Sequence, residues 1–262
     1  MRPFFSIITV TKNSEKKIEL TIKSVLSQNF KNFEYIIIDG FSKDSTFLNI
    51  KKYKDKKIKI FRNKDNSFYE SLNYGVQKST GKYLAILNSG DFFYSNKILS
   101  LMKKKILEFD KYQFFFSNIV CLNKNNKIKR IWKNFYSNKS LEDGFKIPHL
   151  TIFIERVVAQ KFKYDENYKI SSDLDFILRL LEQSVKFKYL NFFSIVMEIG
   201  GMSSNLKYSL IKLREDLIIH RKYFKNYIYH FLIQKVHKLK TLFFQDQKII
   251  SNRILKTKRD IS

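Results

Sequence analysis

Apolar positions in the first half of the chain alternate between two patterns. Residues 4–10 form a continuous apolar run rich in Ile, Val and Thr, as expected for a strand covered on both faces. In residues 18–26, Ile18, Ile22, Val25 and Leu26 recur at helical spacing. Residues 33–38 repeat the strand pattern and stop at Asp39-Gly40, and residues 45–53 predict a helix with Asp44 and Ser45 as its capping residues. A third strand at 58–61, a helix at 69–78, a fourth strand at 83–87 and a helix at 98–109 follow. This alternation predicts βαβ units and a mainly parallel sheet flanked by helices. Ligands of such sheets bind beyond the carboxyl ends of the strands. Asp39-Gly40 and Asn88-Ser89-Gly90-Asp91 therefore belong to one rim.

The second half is less regular. Residues 114–122 predict a strand, with a hairpin partner at 127–132, and residues 134–146 read as loop. Leu174, Ile177, Leu178 and Leu181 place a helix at 171–181, and two strands are expected at 185–189 and 193–199. From Leu206 onward the pattern is helical and basic: fourteen Lys and Arg stand against Glu215, Asp216, Asp246 and Asp260, an excess of ten positive charges. Such a helix either lies on anionic lipid or caps the main domain with a solvated basic face.

Composition narrows the function. With 262 residues and 44% hydrophobic content the chain supports a sizeable core. No run reaches the ~18–20 apolar residues of a membrane span. The start reads as a first strand without a charged leader, so the expected location is cytoplasmic. The lone Cys121 sits in an apolar run and reads as a buried thiol. A net charge of +26 calls for an acidic partner, although joint abundance of Lys, Asn, Ile, Phe and Tyr also follows from coding bias alone. No nucleic-acid-binding motif accompanies that charge, which is spread along the chain, so no nucleic-acid partner is expected. Only His149 lies outside the tail, which excludes a closed zinc site and leaves carboxylate and phosphate oxygens to hold any Mg²⁺ or Mn²⁺. Asp39, Asp91 and Asp173 stand at strand ends or a helix start, where an acid serves equally as a turn former, a cap or a catalytic group. Asp173 and Asp175 lie about 200° apart on a helix. They cannot share one site face, and Asp175 is placed to cap the helix or to pair with Arg179 four residues on.

Several motifs together resemble glycosyltransferase family 2, which has the GT-A nucleotide-sugar fold. The opening Ser6-Ile7-Ile8-Thr9-Val10-Thr11-Lys12-Asn13 with Ser24-Val25-Leu26-Ser27-Gln28 is similar to the family's first strand and helix. Tyr35-Ile36-Ile37-Ile38-Asp39-Gly40 through Thr46 resembles its second-strand motif, with Gly40 where a second Asp is common. The stretch from Asp65 to Gly75, with Ser67 and Glu70 in place of Gly and Asp, is similar to transferases that build bacterial surface polysaccharides, O-antigen and lipopolysaccharide among them. Gly81 to Asp91 resembles the strand entering the metal motif, whose first acid is replaced by Ser89 or Gly90. Pro148-His149-Leu150-Thr151-Ile152-Phe153 is similar to an acceptor-side loop, and Ser172-Asp173 stands where the family has Glu-Asp.

The resemblance spans about residues 4–204 and implies a division of the chain. Residues 1–205 form the catalytic domain, with a nucleotide-sugar half (1–112) and an acceptor half (113–205), and residues 206–262 form the basic amphipathic tail. It implies a nucleotide-sugar donor, UDP-linked, held by Thr11, Asn13, Asp39, Asp65, Asn73, Asn88 and Ser89. Asp91 would hold Mn²⁺ or Mg²⁺, His149 would meet the glycan acceptor, and Asp173 would be the base of a single inverting displacement. A lipid-linked acceptor and an anionic membrane surface are the partners expected of the tail. A basic nucleic-acid-binding protein, a related fold without activity and a nucleotidyl transferase are the competing readings.

Overall fold

A computed structural model describes residues 2–64, 67–123, 125–133, 147–199 and 206–240, with Ile250, Ile254 and Thr257. Its centre is β1 (Phe5–Thr11), buried along its whole length and paired in parallel with β2 (Phe33–Asp39) on one side and β4 (Tyr83–Ile86) on the other. β3 (Ile58–Arg62) continues the parallel set beyond β2. Helices α1 (Ile18–Leu26), α2 (Thr46–Lys51), α3 (Phe68–Lys78) and α4 (Ile98–Glu108) supply the crossovers and covers. The expected βαβ order holds, and the continuous apolar runs are the strands buried on both faces. Helix α3 lies so close to β1 that a Cβ on Gly75 would stand 2.7 Å from Ile8 Cγ2.

Beyond β4 the sheet turns mixed. Among the described residues it has nine strands in the order β3-β2-β1-β4-β8-β6-β9-β5, with β7 also on β6. β5 (Phe92–Phe93) and β8 (Phe153–Glu155) are very short, and β8 runs antiparallel to both β4 and β6 (Phe114–Leu122). β7 (Ile128–Trp132) forms the expected hairpin with β6. The expected loop at 134–146 lies outside the described residues. Cys121 is fully buried in β6, and burial pushes its thiol up to about 11, so it is chemically inert.

One expectation is corrected here. Residues 185–189 and 193–199 are not two strands but belong to a single strand, β9 (Phe187–Glu198). The polar break between them is a bulge: Phe116 faces Tyr189 while Asn118 faces Phe193, so β9 spends two extra residues there. The Asn118 amide donates to Asn191 Oδ1 at 3.2 Å, and the Tyr189 hydroxyl lies 2.8 Å from Asn118 Oδ1. The sequence pattern saw the polar Asn191 as an end because it could not see this pairing.

Helices α5 (Arg156–Phe162) and α6 (Ser172–Glu182) precede and follow the loop that leads to the site. The basic segment forms α7 (Leu206–Tyr223) and α8 (Tyr227–Lys240). Buried acids fasten them to the domain. Glu215 accepts the backbone N–H groups of Lys169, Ile170 and Ser171 at 2.8–2.9 Å, just ahead of α6. Asp216 takes Ser171 Oγ, Lys212 and Lys235. Asp175 takes Arg179 at 2.7 Å, as the four-residue spacing implies, and also Lys222 and Tyr223 of α7. Beyond α8, Ile250 and Ile254 join the core and Thr257 donates to the Tyr94 carbonyl. The inner side of this segment therefore packs on the domain. Its outer side leaves Leu210, Leu213, Leu217, Ile228, Leu232 and Val236 exposed. Among the described residues, no helix is long and apolar enough to cross a membrane.

Candidate active site

The carboxyl rim of the parallel strands holds most of the candidate residues. Thr11, Asp39 and Arg62 are level neighbours at the ends of β1, β2 and β3. Asp39 is fully buried, and its carboxylate accepts the Ser42 N–H and Arg62 Nε at 3.1 Å. Arg62 is itself sandwiched, with its guanidinium carbon 4.3 Å from the Phe41 ring centre and 4.4 Å from that of Phe47. Phe41 has φ of 52°, in the left-handed region that bulky residues avoid, and its ring remains 43% exposed. What faces solvent above Asp39 is thus an aromatic ring and a cationic fork. Asn13, with φ of 50°, ties this loop to the β1 loop: its N–H donates to Ser42 Oγ and its Oδ1 accepts the Lys43 N–H, both at 2.9 Å.

The loop after β4 is built by one hydroxyl. Thr21, fully buried on α1, donates to the Asp91 carbonyl at 2.9 Å and accepts the Gly90 N–H at 2.9 Å. Gly90 has φ of 97°, a backbone conformation that favours glycine, and a Cβ there would press on Lys17 Cδ at 3.1 Å. Thr11 Oγ1 and Ser89 Oγ lie 3.1 Å apart across the rim. Asp91 is 5% exposed, and its Oδ1 accepts the Glu198 N–H from the end of β9 at 3.1 Å. Burial first and the neighbouring Glu198 carboxylate second push the Asp91 carboxyl up to about 8, against the pull of that N–H and of Lys17. Lys17 closes the group by pairing with Glu198 at 2.9 Å. Beside it, Asn88 Oδ1 is buried with no hydrogen-bond partner.

Thr21→Val keeps the shape of the side chain and removes both bonds. It is expected to lower stability by about 1–3 kcal/mol and to weaken any ligand held by Asp91, measured by urea unfolding and by donor titration of the same variant.

His149 and Asp173 meet on the same rim. Because β8 runs antiparallel to β4, the 3-10 turn His149–Thr151 just before it lies at β4's carboxyl end. Thr151 anchors the turn by donating to the Pro148 carbonyl at 2.8 Å and accepting the Ser117 N–H at 3.2 Å. Asp173, in the first turn of α6, reaches His149: Oδ2 lies 3.0 Å from Nδ1. The Tyr69 hydroxyl lies 3.4 Å from the other carboxylate oxygen and donates to the Ile170 carbonyl at 2.7 Å. Tyr69 stacks on Tyr164, and Tyr164 on Phe176 of α6, with centroids 5.7 and 4.4 Å apart. Asn73 holds Tyr164 in that stack with both ends of its amide: Oδ1 accepts the Tyr164 N–H, and Nδ2 donates to the Tyr164 carbonyl and to Glu166.

The structure thus gathers Thr11, Asn13, Asp39, Asn88, Ser89 and Asp91 along one rim and brings His149 and Asp173 into contact. Asn73 is turned toward the Tyr164 backbone, and Asp65 lies outside the described residues. Arg62, Thr21, Lys17, Glu198 and Tyr69 belong to the site without having been expected there. Arg62 carried a signal as a basic residue ending a strand next to the one that ends in Asp39, and Tyr69 stood inside the motif that runs from Asp65 to Gly75.

Three comparisons agree with this geometry. The profile of "Glycosyl transferase family 2" matches residues 6–168. An uncharacterised glycosyltransferase of Methanocaldococcus jannaschii is 28% identical over 215 residues, 78% of this chain and 74% of the relative. The Escherichia coli UDP-Glc:alpha-D-GlcNAc-diphosphoundecaprenol beta-1,3-glucosyltransferase WfgD is 27% identical over 164 residues, 61% of this chain and 63% of the relative. Three Rickettsia glycosyltransferases match over at most 19% of their own length. Among solved structures, Staphylococcus aureus TarS 1-349 in complex with UDP-GlcNAc superposes with a TM-score of 0.68 at 18% identity, covering 91% of this chain and 72% of that one. A nucleotide-sugar transferase fold, a rim of carboxylates at its strand ends and a profile match over residues 6–168 make this chain a member of glycosyl transferase family 2.

Proposed function

We propose that this glycosyltransferase moves a sugar from a UDP-linked donor to a lipid-linked or growing glycan, with inversion, in the synthesis of a bacterial surface polysaccharide. The observation that carries the reading is the pair of buried carboxylates, Asp91 and Asp173, on one rim of the sheet. Residues 1–112 form the donor half, with Thr11, Asn13, Asp39, Asn88 and Ser89 around the nucleotide sugar and Asp65, outside the described residues, as a further contact. Phe41 and Arg62 offer a stacking face and a hydrogen-bonding fork to the nucleotide. Asn73 contributes indirectly, by positioning Tyr164. Residues 113–205 form the acceptor half, where the His149–Asp173 pair takes the proton of the attacking hydroxyl. TarS with UDP-GlcNAc and the glucosyltransferase WfgD support a UDP-sugar and a diphosphate-lipid acceptor.

The residues present fit a hard divalent cation such as Mn²⁺ or Mg²⁺. Asp91 and the unpartnered Asn88 Oδ1 are oxygen donors of the required type. Among the described residues no cluster of three His, Cys, Asp or Glu side chains exists, so phosphate and water oxygens complete the set. When bound, the cation supplies neutralisation of charge on the departing diphosphate. Lys17 brings a positive charge of the chain's own to the same end.

The test is the product itself. Incubation with UDP-glucose or UDP-GlcNAc and a polyprenyl diphosphate sugar should yield a new glycosidic bond of inverted configuration by NMR. A product of retained configuration contradicts the single displacement.

The tail supports a location at the inner face of the cell membrane. Exposed Leu210, Leu213, Leu217, Ile228, Leu232 and Val236 share the α7–α8 hairpin with exposed Arg214, Arg221 and Lys225. Apolar side chains inserted among lipid tails and basic ones at anionic headgroups, worth about 1 kcal/mol each, would hold the enzyme beside a lipid-linked acceptor. Sedimentation with phosphatidylglycerol vesicles is expected to fall at least tenfold in Leu213→Glu/Leu217→Glu. Equal sedimentation of variant and wild type removes the membrane role of this hairpin.

A further inference from the structure

We infer that the Lys17 ammonium grips the donor's diphosphate directly, so that the chain keeps part of its hold on a nucleoside diphosphate without a divalent cation. The inference rests on the transferase reading above and names the group of this chain that meets the leaving end.

The first observation is placement. Lys17 stands where α1 begins, its backbone N–H donating to the Ser14 carbonyl at 2.9 Å. Thr21 follows four residues on, so the two side chains share the face of α1 that meets the loop after β4. Thr21 bonds the backbone of Gly90 and Asp91, and the Lys17 stem lies over Gly90. The loop that presents Asp91 and the helix start that presents Lys17 are thus one fixed unit.

The second observation is aim. Glu198, the last residue of β9, joins both parts of that unit: its N–H donates to Asp91 Oδ1 at 3.1 Å, and its carboxylate accepts from Lys17 Nζ at 2.9 Å. The Lys17 and Glu198 side chains are 38% and 26% exposed, so the pair is open to an arriving ligand. An ammonium has three protons to donate, and one partner leaves capacity for phosphate oxygens. An ion pair this exposed is also weak enough to rearrange at small cost.

The third observation is the thin acidic set. Ser89 and Gly90 precede Asp91 where the related motif carries a further acid. Few protein carboxylates hold a divalent cation weakly. A lysine already in place supplies positive charge whether or not that cation is bound. In the transfer, the bond from the anomeric carbon to the phosphate oxygen breaks and its electron pair leaves with the nucleoside diphosphate. The acceptor oxygen bonds to that carbon, and its proton passes to the His149–Asp173 pair. Lys17 meets the negative charge that appears on the leaving phosphate.

The experiment is calorimetric titration of UDP and of uridine into the full chain in EDTA, at low ionic strength, where exposed charges are least screened. Wild type, Lys17→Met, Lys17→Arg and Glu198→Gln are compared. The wild type is expected to bind UDP at least tenfold more tightly than uridine. Lys17→Met should lose that preference while its uridine affinity stays within twofold, which certifies its fold, and Lys17→Arg should keep most of it. Glu198→Gln should hold UDP within threefold of the wild type, because Glu198 aims the charge without supplying it.

A wild type that binds UDP no better than uridine in EDTA overturns the inference. Unchanged UDP affinity in Lys17→Met, or an equal loss of UDP and uridine, does the same. A loss in Glu198→Gln as large as that in Lys17→Met also overturns it, since the pair would then act only as a strut. Wild-type binding of UDP with Mn²⁺ but not in EDTA sinks the inference and leaves the transferase reading standing. Binding of neither UDP nor GDP under both conditions removes that reading and the inference with it.

Discussion

Asp91→Ala is expected to cut glycosyl transfer by about 10²–10³, the cost of losing one preorganised group that stabilises charge at the leaving end of a transition state. The loss should appear as weaker donor binding together with a lower kcat. Titration of UDP with and without Mn²⁺ separates the two, because only the wild type should show a metal-dependent gain. Wild-type turnover in Asp91→Ala would remove this carboxylate from the donor site.

The same residue predicts a pH effect on the protein stripped of divalent cations. Its carboxyl is pushed up to about 8 in the fold, against about 3.9 for an aspartate free in water. Between these values the folded protein binds a proton that the unfolded chain has released, so stability falls as pH rises. Each unit of such a difference corresponds to about 1.4 kcal/mol, and a loss of a few kcal/mol is expected across the window. Asp91→Asn carries no ionisable group there and should lack this part of the slope. Thermal melts of both proteins at about pH 5 and about pH 8.5, in EDTA, make the comparison, since these values lie within and just above the titration window. Parallel curves would mean that Asp91 is ionised without penalty.

Asp173→Asn is the second large effect. It preserves shape but not charge, and general-base catalysis typically contributes 10²–10⁴-fold. A fall of that size in kcat, with donor KM little changed, is the result that the proposed acceptor-side role of Asp173 predicts. A variant that instead lost UDP affinity would place Asp173 with the donor. Stability should fall less than in most buried-charge replacements, because the amide oxygen can still meet His149 Nδ1 while its NH2 turns to the Tyr69 hydroxyl oxygen.

The parts of the fold that were legible in the sequence are those with enough residues to show a period. β1, β2 and β6 lie in the sheet's interior, so their continuous runs of Ile, Val and Phe marked them directly. Two-residue β5, three-residue β8 and seven-residue α5 are too short to carry a period. The bulge in β9 was hidden because the polar Asn191 is satisfied by Asn118 across the strands, a partner visible only after folding. In the tail, helical periodicity was clear, but the sequence left open what its acids do. Glu215 and Asp216 turn out to be inward anchors, so the charges that interrupt the apolar pattern are the ones that fix the segment in place.

The site divides in the same way. Asp39, Asp91, Asp173 and His149 stand at positions where family motifs begin or end, so the residues marked themselves. Their partners did not. Thr21 looks like an ordinary helical threonine, yet its hydroxyl sets the Gly90–Asp91 backbone. Tyr69 lies inside the motif from Asp65 to Gly75, yet only the fold shows that it approaches Asp173. Motifs identify the groups that meet ligand, while the groups that aim them are chosen by tertiary contact. Asn73 shows the converse: a motif residue whose amide is spent on the Tyr164 backbone and acts on the site only through that loop.

The most direct test of the central claim is calorimetric titration of UDP into the wild-type chain and into Asp39→Ala and Asp91→Ala, with Mn²⁺ present. Saturable binding to the wild type, weakened at least tenfold in each variant, is the predicted result and would place the nucleotide along the β1–β4 rim. Wild-type protein that binds neither UDP nor GDP, or binds UDP equally well after both substitutions, would contradict a nucleotide-sugar site on that rim.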